Sequence, residues 1–111
     1  MLYITNEKEL DLQTGISVIH FYAPWFIFHS KIANLLTSLE ETHTDIKFYA
    51  VDIDTFQNYI KRYSLSSLPT IKITKDGLRI RTLTTITGIT KLNDTLADID
   101  RADTGEINAQ G

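Results

Sequence analysis

Ser17-Val-Ile-His-Phe-Tyr-Ala-Pro-Trp-Phe-Ile-Phe-His-Ser30 is the stretch whose reading decides the fold. With Ile16 it begins as a run rich in β-branched and aromatic residues, as a strand covered on both faces should be. Ala23-Pro24 stops that strand. From Phe28 the apolar period changes: Phe28, Ile32, Leu35, Leu36 and Leu39 fall at helical spacing. The spacing predicts a helix from Phe26 or Phe28 to Glu41, with Phe28 on the buried stripe and Lys31, Asn34, Ser38 and Glu41 facing water. A strand-to-helix junction is a usual place for a site, because the helix N-terminus offers unpaired N–H groups and a partial positive charge. This junction carries Trp25, Phe26, Ile27 and Phe28, and no ionisable nucleophile.

Working outward, Leu2 to Ile4 reads as an edge strand. Asn6 and Glu9 fit a helix N-cap and its answering residue, with the helix ending near Leu12 and Gly15 supplying a left-handed stop. After the second helix, Ile46 to Val51 is a buried strand. Asp54, with Gln57, is placed to cap a helix from Thr55 to Tyr63. Ser64 to Pro69 is a loop. Ile71 and Ile73 then alternate with Thr70, Lys72 and Thr74, and Lys75-Asp-Gly77 is a tight turn into a strand from Leu78 to about Ile86. Gly88 breaks that strand. Thr90 is placed to cap a last helix with the stripe Leu92, Leu96 and Ile99. The order β-α-β-α-β-α-β-β-α implies an α/β fold: a mixed five-stranded sheet with helices on both faces.

The 111 residues make one domain over 1–100, and the polar, aperiodic residues 101–111 read as a disordered tail. A net charge of −3 argues against a nucleic-acid partner, which normally shows a basic excess. Lys72, Lys75, Arg79 and Arg81 read as a solvated face of the hairpin. No apolar run is long enough to span a bilayer, and no leader pattern opens the chain, so a cytoplasmic location with no membrane partner is expected. The chain has no cysteine, which excludes thiolate catalysis and thiolate metal sites within it.

Phe21-Tyr-Ala-Pro-Trp25, Tyr49-Ala-Val-Asp-Ile-Asp54, Tyr63-Ser-Leu-Ser-Ser-Leu-Pro-Thr70 and Lys75-Asp-Gly77 stand in the right order at the right spacing, and together they resemble thioredoxin. The resemblance covers Leu2 to about Ile99. It implies the thioredoxin fold, a cis bond before Pro69, and a backbone at Leu68 that pairs with an extended substrate peptide. Thr87-Gly88-Ile89 is the implied third wall of that surface. The family carries Trp-Cys-Gly-Pro-Cys at the junction. Here Phe26 stands where the attacking cysteine would be and His29 where the resolving one would be. His20 takes the place of a buried acidic residue, and Asn34 that of a helix-kinking proline. Thiol–disulfide exchange needs one thiol to attack and another to resolve. The family's activity therefore does not transfer.

Three readings follow. The first is a redox-inactive accessory subunit or adaptor that binds an unidentified protein through Trp25, Phe26, Ile27, Leu68, Pro69, Gly88 and Ile89. The second is a non-thiol enzyme or pH-sensitive site built on His29 and His20. The third is a structural component of a larger assembly, of unknown oligomeric state. Neither a cofactor nor a metal is expected: two neighbouring histidines do not make the convergent shell of three or four ligands that a metal needs. His29 and Ser30 are neighbours in a helix and point apart, which speaks against a hydrolase.

Overall fold

The computed structural model describes residues 1–11 and 13–99. The tail read at 101–111, the domain end at residue 100 and the first helix's end at Leu12 lie outside them. In chain order the elements are β1 (Leu2–Tyr3), α1 (Lys8–Asp11), β2 (Ile16–Tyr22), α2 (His29–Thr42), β3 (Lys47–Asp52), α3 (Asn58–Arg62), β4 (Thr70–Lys75), β5 (Leu78–Leu83) and α4 (Ile86–Thr90). Beyond Lys91 the chain is helical again over 92–99.

The stretch quoted first supplies β2, and β2 is the middle strand. The sheet order is β1-β3-β2-β4-β5. β1, β3 and β2 are parallel, with His20 level with Ala50, whereas β4 runs antiparallel to both β2 and β5. Alternation along β2 divides its side chains between two cores. Val18 packs with Ile32, Leu36, Leu39, Ile71, Ile73, Leu92 and Leu96. Ile19 and Phe21 pack with Leu10, Val51 and Tyr59 on the other face. Helices therefore cover both faces. The Tyr59 hydroxyl donates to the Glu7 carbonyl at 2.9 Å, which ties α3 to the start of α1.

The connections explain most of the boundaries. Asn6 and Glu9 form the expected reciprocal cap: the Lys8 N–H donates to Asn6 Oδ1 and the Asn6 N–H to Glu9 Oε1. Asp76 and Gly77 both have positive φ, the conformation of a two-residue hairpin turn whose twist matches the strands. Four expectations need correction. Asp54 does not cap α3; Asp52 Oδ1 instead accepts from the Asp54 N–H, and Asp54 is drawn off by a tryptophan described below. Phe28 is not on the buried stripe. It is the N-cap of α2, outside helical register, and 41% exposed, so the stripe begins at Ile32. Thr85, not Thr90, caps the helix after β5, its hydroxyl accepting from the Gly88 N–H at 3.0 Å. Gly88 accordingly lies inside α4, where an added Cβ would come within 3.1 Å of Thr85 Oγ1. Lys72, finally, is buried at 8% exposure, because β4 is an interior strand with cover on both sides.

Candidate functional site

The junction after β2 is a pair of tight turns rather than a helix. The Phe26 N–H donates to the Ala23 carbonyl, and the His29 N–H to the Phe26 carbonyl, each at 3.0 Å. These turns push alternate side chains outward. Trp25 is 70% exposed and Ile27 is 84% exposed, a heavy exposure for large apolar groups. Trp25 is nevertheless held in place, since its indole N–H donates to Asp54 Oδ2 at 3.0 Å. Phe26 is half-buried; it packs against the core beneath α2 and meets Phe28 edge-on at 5.9 Å.

Trp25, Phe26 and Leu68 line one groove of about 420 Å³ together with Ile53, Ile60 and Leu65. The Leu68–Pro69 peptide is cis. Pro69 itself is buried and Leu68 half-buried, so of this pair Leu68 faces the groove. Gly88 is half-buried and Ile89 is sealed in the core. Ile89 therefore presents no exposed contact surface; it forms the floor of a second hollow of about 280 Å³ beside Phe28, Leu35 and Ile86. Sequence reasoning did not assign Ile53, Ile60 and Leu65 to the site. The one available signal was that Ile60 is apolar next to Lys61 and Arg62, at the edge of the α3 stripe.

The histidines sit behind the groove. His20 is 2% exposed on the α2 face of β2, and its ring lies against Tyr22 and His29 at centroid separations of 5.6 and 6.4 Å. Burial, assisted by the nearby His29, lowers its pKa from the usual 6.5 to about 4. His20 is thus neutral at neutral pH. His29 stacks on Tyr22 at 4.7 Å, and its buried Nδ1 has no hydrogen-bond partner among the described residues. Burial, with the neighbouring Asp52 and Tyr3, raises the Tyr22 phenol above its usual value. Neither histidine lines the groove. Among the described residues no three histidine, aspartate or glutamate side chains converge as a metal shell would require, and no helix is long and apolar enough to cross a membrane.

The sequence model of the thioredoxin family, described as Thioredoxin, matches residues 4–99. The chain belongs to the thioredoxin family. Thioredoxin 1 of Plasmodium falciparum is 28% identical over 83 residues, covering 72% of this chain and 80% of that protein. Thioredoxin 1 of Synechococcus elongatus is 30% identical over 91 residues, covering 80% of this chain and 85% of that protein. The crystal structure of oxidized mitochondrial thioredoxin 3 from Saccharomyces cerevisiae superposes with a TM-score of 0.77 at 28% identity, over 88% of this chain and 94% of that one. The mixed five-stranded sheet is therefore the thioredoxin fold. In this thioredoxin-family chain the junction holds Phe26 and His29, and no cysteine stands anywhere in its 111 residues. It has no thiolate of its own with which to open a disulfide.

Proposed function

We propose that this chain is a redox-inactive, protein-binding member of its family, an accessory subunit or adaptor that holds its partner through the surface around Trp25 and Ile27. The supporting observation is the pairing of two exposed apolar side chains with an apolar groove at the end of β2. Large exposed apolar residues next to a concave apolar surface are the usual marks of an interface centre.

Magnitudes define the partner. Fully burying each such side chain is worth roughly 1.5–3 kcal/mol. Association costs roughly 4–15 kcal/mol of lost translational and rotational freedom. Trp25 and Ile27 alone leave little surplus. An extended segment that lays an apolar side chain into the groove and pairs its backbone near Leu68 supplies the remainder.

The test is affinity capture from cells of the source organism with three forms of the chain. Ile27→Ser removes the most exposed apolar group of the site without touching the core. Leu78→Ser removes a comparably exposed apolar group on the distant hairpin. A partner of the proposed surface is retained by the native chain and by Leu78→Ser, and is depleted about tenfold or more by Ile27→Ser, the effect of roughly 1.4 kcal/mol. Equal retention by all three forms rejects the reading.

A further inference from the structure

A second, basic pocket adjoins the groove: Arg62 and Ser64 line it, close in the chain to the groove's Ile60 and Leu65. It has a volume of about 490 Å³ and lies where α3, the β4–β5 turn and β5 meet. Arg62, Lys72 and Arg79 line it, with the hydroxyls of Ser64 and Thr82, and no carboxylate is among its lining residues. Register explains the convergence. Lys72 is level with Thr82, and Thr74 with Arg79, so these side chains share the α3 face of the hairpin. Arg62 is oriented there by its own neighbours, its guanidinium lying 5.4 Å from the centroid of the Tyr59 ring and 5.6 Å from that of Tyr63.

Lys72 is the informative member. The residue is buried along its stem, while its ammonium opens into the pocket; among the described residues it reaches the Thr82 hydroxyl, at a long 3.5 Å. Among the described residues no carboxylate pairs with it. Burial and the facing Arg79 both lower its pKa, so its charge is opposed by its surroundings instead of balanced by them. Three cations that line one pocket with no carboxylate among the lining residues repel one another, and a bound anion relieves that repulsion.

We propose that this pocket binds a phosphate group, with Lys72 and Arg79 as its charged ligands, Arg62 as a third cation, and the Thr82 and Ser64 hydroxyls as further donors. A phosphate dianion balances the local positive charge and accepts several charge-assisted hydrogen bonds at once. Free phosphate and the phosphate of a small ester share this chemistry.

The experiment is an amide NMR titration of the whole chain with inorganic phosphate and, separately, with phenyl phosphate, against sodium chloride at matched ionic strength. The expected result is saturable shifts at Ser64, Gly77 and Thr82 that chloride does not reproduce. Tighter binding of phenyl phosphate assigns the site to an ester; equal or tighter binding of inorganic phosphate assigns it to the free ion. Arg79→Gln changes an exposed side chain and should weaken binding by about tenfold or more, as expected for one charge-assisted hydrogen bond. Lys72→Met keeps the apolar stem, should abolish saturation, and should leave the phosphate-free Tm unchanged or raised. Shifts that match chloride, or that survive both substitutions unaltered, overturn the assignment.

Discussion

Replacing Phe26 and His29 together by cysteine is expected to give this chain a dithiol that closes to a disulfide and reduces insulin, where the native chain does neither. The geometry is already present. The His29 N–H to Phe26 carbonyl bond closes a four-residue turn at the mouth of α2. Such a turn brings its end Cα atoms within about 7 Å, and a disulfide spans roughly 4.4–6.8 Å. The N-terminus of α2 offers free N–H groups and a partial positive charge, which favour a thiolate there. Truncating the half-buried Phe26 costs about 1 kcal/mol of lost burial, small enough for the fold to tolerate. Thiol alkylation before and after oxidation should show one intrachain disulfide per chain. The single variants Phe26→Cys and His29→Cys should show no turnover, because neither has a resolving partner. A folded double variant whose thiols stay separately alkylatable after oxidation would mean that the junction has left the family's geometry.

Stability should fall on mild acidification, and His20 should be the reason. In the unfolded chain its pKa is near the ordinary value of 6.5; in the fold it is about 4. Between those values the unfolded chain holds a proton that the folded chain does not. Unfolding therefore takes up a proton, and stability rises with pH across that window. The contribution is complete above pH 6.5 and is lost as pH falls through 4. A depression of this size corresponds to roughly 3 kcal/mol in all, of which about 2 kcal/mol is gone by pH 5. Urea unfolding at pH 7 and pH 5 measures it. His20→Phe keeps a planar ring that cannot take a proton, and should remove most of the difference. The same loss in His20→Phe as in the native chain would place the acid sensitivity elsewhere.

The fold was legible because its signals are local and repeated. The β-branched run before Pro24, the change of period after it and the Asp76–Gly77 turn each specify one element, and they agree with one another. What stayed hidden depended on neighbours distant in sequence. Asp54 has the chemistry of a helix cap, but the Trp25 indole, 29 residues away, claims its carboxylate. Thr90 stands in sequence where a cap for the last helix would fall, but it is Thr85 whose hydroxyl accepts from the Gly88 N–H, and a side chain at position 88 would crowd that hydroxyl. Lys72 looked like a polar position of an alternating strand; only the sheet order shows that β5 covers its outer side. The candidate site was half legible. Trp25, Phe26 and Ile27 stand out in any reading of the junction. Ile53, Ile60 and Leu65 join them only once α3 has folded against the end of β2.

Trp25 is the chain's single tryptophan and stands at the centre of the proposed binding surface, so its fluorescence reports on that surface alone. The direct measurement is its emission maximum as the partner eluted from the capture is titrated in, after correction for the partner's own emission. The account predicts a saturable shift to shorter wavelength as water is excluded from the indole, weakened in Ile27→Ser. Emission that stays at the wavelength of a solvent-exposed indole while the complex demonstrably forms would contradict it.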